Sequence, residues 1–358
     1  LPEETRVNRA VRTLFISVGL ALSTTPILAA PASNDRRFAA TDIFGLETVS
    51  DTQISPSGAQ IVYVRLSYDI MSDRQRSSLW IIDADGRDHR ALYADAFDHR
   101  SPRWSPDGKR LAFISTTAGK AQLFVRWMDT GQTAVLTNLT ESPGDLTWAP
   151  DGRSLVFSQL VRSEPSTLAQ APTQPEGATW APPVTVVDAM VYRLDGAGYL
   201  RRGFTHYFSV SADGGTARQL TTGDFDHSGA PSFTPDGRQL IFSANRNADW
   251  EYAPLNRDLY SLDLATRSIQ PIVTRQGPDT SPAVSPNGKL VAYTGFDDRR
   301  QGYQVTHLYV ANIDGSGARV VSGNFDRDVE DPVWARDSRS LYFVYDESGI
   351  RRIGKISL

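Results

Sequence analysis

Apolar residues in this chain gather in short consecutive runs that return about every fifty residues, at 59–64, 110–114, 154–157, 239–242, 290–293 and 340–344. A helix would space its apolar positions three or four apart, and a one-sided strand would alternate them. Runs that are apolar at neighbouring positions predict strands covered on both faces. Each run follows a turn phrase: Ser55-Pro56-Ser57-Gly58, Ser105-Pro106-Asp107-Gly108, Ala149-Pro150-Asp151-Gly152, Thr234-Pro235-Asp236-Gly237 and Ser285-Pro286-Asn287-Gly288, with a degenerate sixth at Ala335-Arg336-Asp337-Ser338. Successive second positions are 50, 44, 85, 51 and 50 residues apart, so one interval holds an insertion. Proline presets φ in a type I turn, and glycine takes the left-handed conformation that closes a hairpin with a bulge.

The second half of each unit repeats as well. A third strand such as Leu79-Trp80-Ile81-Ile82 meets a turn at Asp83-Ala84-Asp85-Gly86. Its counterparts are Leu123-Phe124-Val125-Arg126, Tyr207-Phe208-Ser209-Val210, Leu259-Tyr260-Ser261-Leu262 and Leu308-Tyr309-Val310-Ala311, and a polar fourth strand follows each. Four antiparallel strands per roughly 45–50 residues is the propeller unit. The expected fold is therefore all-β, a β-propeller of four-stranded antiparallel blades, five recognisable and a partial sixth. The propeller is expected over residues 33–358, incomplete because the sequence stops inside the sixth blade. Between 161 and 191 a segment with Pro165, Pro172, Pro175, Pro182 and Pro183 lacks both turn phrase and strand triplet, so it reads as an excursion from the third blade.

Composition narrows the chemistry. The net charge of −4 gives no case for nucleic acid or an anionic membrane. Zero cysteines excludes disulfides, cysteine metal ligands and a cysteine nucleophile. The five histidines, His89, His99, His206, His227 and His307, show no metal-binding spacing, and neither a metal nor a cofactor is expected. At the N-terminus, Arg6, Arg9 and Arg12 precede an apolar run over 14–22 and the small residues Ala29-Ala30-Pro31-Ala32. That order predicts a secretory signal over 1–32 and an exported protein, periplasmic or secreted, a retained anchor helix being the alternative.

These residues carry a resemblance. The repeated turn phrase resembles those of TolB-like propellers and of the prolyl oligopeptidase family of serine peptidases. Tyr192-Arg193-Leu194-Asp195-Gly196-Ala197-Gly198-Tyr199, with His206-Tyr207-Phe208-Ser209-Val210 after it, is similar to the acylaminoacyl-peptidase and dipeptidyl-peptidase branch, as are Ser243-Ala244-Asn245-Arg246 and Asp258-Leu259-Tyr260. In that family an α/β-hydrolase domain follows the propeller, its serine in a G-x-S-x-G elbow. No such elbow occurs here. The resemblance thus implies the substrate-gating propeller of an exported serine peptidase that cleaves short peptides. Its partner would be its own hydrolase domain beyond residue 358, and this chain alone is expected to be inactive. A stand-alone TolB-like propeller that binds a periplasmic protein is the other reading.

If the first strand of each blade lines the central channel, the residues ahead of each turn phrase face it. Asp98, His99, Asp145, Asp226, His227, Asp279, Asp328 and Glu330 are the candidates. They would orient a peptide's amino terminus by charge. Alternatively, they hydrogen-bond adjacent blades at the strand entries.

Overall fold

The computed structural model describes residues 37–163, 172–181, 186–187 and 189–358. The expected signal at 1–32, together with Pro165, Pro182 and Pro183 of the excursion, lies outside the described residues. Of an N-terminal unit, Leu1–Asp42, the described part leads into a short 3-10 turn, Ala40–Gly45, where Asp42 Oδ2 accepts the Ala39 N–H at 2.8 Å.

The unit Ile43–Leu358 is a propeller of six blades. Blade 1 holds Thr48–Ile54, Gln60–Asp69, Arg74–Asp83 and Arg90–Tyr93. Blade 2 holds His99–Trp104, Arg110–Ser115, Gln122–Trp127 and Thr133–Val135. In blade 3, Gly144–Trp148 and Ser154–Arg162 are followed, beyond the excursion, by Gly203–Ser211 and Arg218–Gln219. Blade 4 is Ser232–Phe233, Gln239–Ala244, Asp258–Asp263 and Ile269–Val273. Blade 5 is Asp279–Val284, Leu290–Gly295, His307–Asn312 and Arg319–Val320. Blade 6 has three strands, Glu330–Trp334, Ser340–Glu347 and Ile350–Ser357. Every pairing is antiparallel between sequence neighbours, apart from the jump across the excursion. That excursion runs on to the start of the third strand, and within it Arg193–Leu194 and Gly198–Tyr199 make their own small hairpin.

The turn phrases form one repeated device. In all six the fourth residue's N–H bonds the first residue's carbonyl, at 2.8–3.0 Å. The fourth residue is left-handed throughout, from Gly58 at φ 76° to Gly152 at φ 67°, and Ser338 takes the place at φ 56°. The first and third side chains brace the loop: Ser105 Oγ bonds Asp107 Oδ1 at 2.6 Å, and Thr234 Oγ1 bonds Asp236 Oδ1 at 2.6 Å. Successive turns also touch. Gly108 lies over Pro56, Gly152 over Pro106, Gly237 over Pro150 and Gly288 over Pro235. Asn287 N donates to Ser338 Oγ at 3.1 Å, and Arg336 Nη2 donates to the Pro56 carbonyl at 3.1 Å, bringing the sixth turn back to the first.

Between the blades the core is aromatic. The second strand carries an aromatic residue at the same place in every blade: Tyr63, Phe113, Phe157, Phe242, Tyr293 and Phe343. Four of these stack on a cross-strand aromatic of the third strand, with centroids 5.1–5.8 Å apart. In blade 1 the partner in register is Trp80, and in blade 6 it is Gly354, where the Phe343 ring fills the space a side chain would need. Nearer the axis, the indole N–H of Trp104, Trp148 and Trp334 each bonds a carbonyl of the preceding blade's first strand, Gln53, Arg103 and Ala283, at 2.8–3.2 Å.

Gly237→Ala tests the turn. A Cβ there has room, 3.8 Å from Pro150, so the cost is that of a left-handed backbone. Urea unfolding should show a loss of about 1–2 kcal/mol, and an unchanged midpoint would show that the turn tolerates a side chain.

Candidate functional site: the central channel and the face of long connections

First strands of successive blades touch, blade 1 with 2, 2 with 3, 4 with 5 and 5 with 6, around the axis of the propeller. Four residues before each turn phrase, five of the six carry a left-handed residue: Asp51, Ser101, Asp145, Ser281 and Asp331, at φ 46–54°. Pairing to the second strand shifts register there. Short polar side chains tolerate this conformation better than branched ones. The result is a bulge that turns polar groups toward the channel. Asp51 binds Arg103 Nη1 at 2.8 Å, tying blade 1 to blade 2. Asp145 Oδ2 accepts from Ser158 Oγ at 2.7 Å and from Gly229 N at 3.0 Å, tying blade 3 to blade 4.

Between blades 4, 5, 6 and 1 a cavity of about 580 Å³ lies along these strands, bordered by Gln53, Ser228, Thr280, Ser281, Asp331 and Arg257. Arg257 is held in place by Ser243, whose Oγ accepts from Nε at 3.3 Å and whose carbonyl accepts from Nη2 at 3.1 Å. One positioned cation, one carboxylate and several hydroxyls give this cavity the means to orient a polar chain rather than to break one.

The eight residues singled out from the sequence occupy four settings. Asp98, Asp226 and Asp328 stand at blade entries and accept a backbone N–H from the preceding blade's third strand or its lead-in, from Ser77, Thr205 and Thr306, at 2.7–3.0 Å. His99 and Asp279 open their strands and His227 bridges to Ala244 ahead of its strand, all three at no more than 1% exposure inside the packing between blades. Asp145 bonds Ser158 within its own blade and the Gly229 N–H ahead of blade 4, and Glu330 is exposed and paired with Arg351 at 2.6 Å. Sequence reading passed over Arg257, Arg103, Asp51 and Ser281. Superposing the turn phrases would have exposed the second pair as Asp or Ser at one fixed offset, whereas Arg257 lies in a connection that the repeat does not align.

The buried entries form polar clusters. Arg246 Nη1 donates to His227 Nε2 at 2.7 Å, and His227 Nδ1 then donates to His206 Nδ1 at 3.2 Å. Burial first, then Arg246 and His206, pushes the His227 pKa down to about 3, and burial lowers His206 as well. Arg275 bonds Asp279 Oδ1 at 2.6 Å, yet burial still pushes the Asp279 carboxyl up to about 7.

One contact imitates a catalytic pair: Ser322 Oγ lies 3.4 Å from His307 Nδ1. Thr221 with His206 at 3.4 Å and Thr137 with Gln122 at 2.9 Å are the same contact in blades 3 and 2. In all three the hydroxyl accepts the N–H of a third-strand residue, Leu308, Tyr207 or Leu123, at 3.0–3.1 Å. It is a joint of the repeat, in which the hydroxyl oxygen accepts a backbone N–H beside its contact with the side chain.

The links from second to third strand, and from each blade to the next, lie at the end opposite the turn phrases. The long ones are here, around 163–202, 245–257 and 296–306. Exposed apolar side chains collect on them: Trp180, Tyr192, Tyr199, Tyr252, Leu255 and Tyr303. Among the described residues no group of His, Asp or Glu could hold a metal ion, and no helix is long and apolar enough to cross a membrane.

Comparison with known proteins agrees with this architecture. Residues 51–168 match the TolB β-propeller domain, and residues 197–298 match the dipeptidyl peptidase IV N-terminal region. The uncharacterized peptidase YuxL of Bacillus subtilis is 32% identical over 207 residues, 58% of this chain and 31% of that protein. Dipeptidyl-peptidase 5 of Porphyromonas gingivalis is 25% identical over 331 residues, 87% of this chain and 47% of that protein. The chain thus spans less than half the length of these two relatives. Acylaminoacyl peptidase of Pyrococcus horikoshii superposes with a TM-score of 0.64 at 15% identity, over 88% of this chain and 46% of that one, which shows the fold.

His227 supplies a pH test. Its folded pKa lies below the unfolded value near 6.5, so between about pH 6.5 and 3 the unfolded chain binds the extra proton and stability falls with pH. Going from pH 7 to pH 5 should cost about 2 kcal/mol through this residue. His227→Gln should remove that part of the slope in urea titrations, and an identical slope in both proteins would refute the assignment.

Proposed function

We infer that the chain is the propeller of a peptidase-family protein that also carries TolB-type repeats. We propose that it selects substrate for an exported serine peptidase acting on short peptides, whose bond-breaking groups belong to an α/β-hydrolase domain encoded beyond residue 358. The observation that carries this reading is the channel cavity of about 580 Å³ with Arg257 and Asp331 on its wall. Its size is that of a site for a small ligand, and its groups match the carbonyls and the charged ends of a short peptide. The apolar side chains on the face of long connections support docking of a further domain there, because patches of this kind mark interaction surfaces. A peptide would reach that domain through or across the channel mouth, and folded proteins would be held back by size.

Amide hydrolysis by the family's mechanism needs an activated hydroxyl, a base and oxyanion donors. The channel supplies none of these together, and the Ser322–His307 contact is a joint of the repeat that recurs in blades 3 and 2. The TolB match over 51–168 favours a second reading, a propeller that binds another protein through the same face.

Purified residues 1–358 should not hydrolyse chromogenic aminoacyl or acylaminoacyl amides, and a protein extended along the reading frame should. Turnover by the 358-residue chain that vanishes on Ser322→Ala or His307→Ala would overturn the proposal. An extended protein that is folded but inert would favour the binding reading.

A further inference from the structure

A second pocket, of about 400 Å³, lies on the face of long connections between blades 2 and 3. Lys120 comes from the link between the second and third strands of blade 2, and Thr140, Glu141 and Ser142 from the crossover to blade 3. Arg162 ends the second strand of blade 3, and Arg201 precedes the third. Two links and the two ends of the blade 3 excursion thus converge on one cluster of charge.

We propose that this pocket binds the carboxylate of a peptide, supplied either by a C-terminus or by an acidic side chain. The Glu141 side chain is only 11% exposed and pins both arginines, Arg162 Nη2 at 2.5 Å on one oxygen and Arg201 Nη1 at 2.7 Å on the other. Using separate oxygens holds the guanidinium groups apart and fixes their positions. A guanidinium has five N–H donors, so most of them remain unspent. Both arginine side chains are more than half exposed, at 56% and 63%, so the unspent donors can be reached from the pocket. Lys120 adds a third cation that makes no hydrogen bond or ion pair among the described residues. Three cations therefore face one carboxylate, and the hydroxyls of Thr140 and Ser142 complete the wall. A planar carboxylate fits the fork of a guanidinium and accepts two parallel bonds from it. An ordinary surface ion pair would leave neither the surplus of charge nor a cavity to receive a partner.

That the rest of the ligand is a peptide rests on the function proposed above, whereas recognition of its carboxylate does not. The site differs from the channel in residues, blades and net charge, and it would hold one end of a chain whose other end approaches the axis.

Calorimetric titration of the 358-residue chain at low salt tests this, using acetylated trialanine with a free C-terminus, its amide, and the amide bearing aspartate at the third position. The amide of trialanine should not bind. At least one of the two carboxylate peptides should, and which one does so identifies the source of the carboxylate. Affinity should fall as salt rises, and Lys120→Gln and Arg201→Gln should each weaken it about tenfold, equivalent to about 1.4 kcal/mol. Lys120→Gln removes no contact of the fold, so its melting curve should match that of the unaltered chain and its weaker binding reports the site. Equal binding of all three peptides, binding of none, or unchanged affinity in Lys120→Gln would overturn the proposal. Inorganic phosphate displacing the peptide more effectively than acetate would also count against it, as a sign of a site for a tetrahedral anion. Hydrolysis is not measured here, so failure of this test and failure of the peptidase assay are told apart.

Discussion

The structure depends on one constraint: each blade is apolar on both faces and is stable only between two others. The aromatic pairs meet it with large, flat side chains that bury well and tolerate few other orientations. Phe157 and Phe242 are fully buried, and truncating such a residue costs roughly 3–5 kcal/mol. Blade 6 lacks the cross-strand aromatic, and Phe325 and Tyr345 meet there edge-on at 4.9 Å, with Phe325 also edge-on to Phe343 at 5.8 Å. Near the axis the tryptophan N–H groups, which cannot be buried without acceptors, fix how far one blade is rotated against the next.

That constraint acts differently at the two ends of the blades. At one end the turns touch in sequence, Pro against Gly, and their near-identity leaves little scope for variation. At the other end the links only have to leave one strand and enter the next. Insertions, exposed aromatic side chains and both cavities are met there or along the channel beside it. Function carried on loops over a rigid scaffold is the usual arrangement. The Trp250 ring meets Phe204 edge-on at 6.1 Å, so the blade 4 link also braces the base of the blade 3 excursion.

The ionisable groups buried at the blade entries follow from the same packing. A strand that starts deep between two blades brings its first side chain out of water. His99 answers with Asp95 at 2.9 Å, His227 with Arg246, and Asp279 with Arg275, which also lies 4.2 Å over the Tyr309 ring. The pairs differ in sign and chemistry while their position is shared. Asp279 Oδ2 and the Tyr293 hydroxyl are buried without a hydrogen-bond partner among the described residues, and burial accounts for the raised pKa of that carboxyl. Perturbed pKa values here report burial between blades and not an active site, which is the usual ambiguity of such shifts.

The sequence by itself determined the repeat, the turn at each hairpin and the strand order within a blade. These are local: Pro and Gly act through φ, and a strand covered on both faces shows itself in consecutive apolar residues. It also held the channel bulges, as Asp or Ser four residues before the turn in five of six units, a signal visible once the units are aligned. What only the tertiary structure decided is which way each entry residue faces. Asp98 and His99 are neighbours, yet Asp98, just ahead of the strand, caps a backbone N–H of blade 1, and His99, its first residue, is buried at 1% exposure. The charged pocket was beyond the sequence for a simpler reason. Lys120 and Glu141 belong to different links while Arg162 and Arg201 stand at the two ends of the blade 3 excursion, and only the rotation of blade 2 against blade 3 brings them together.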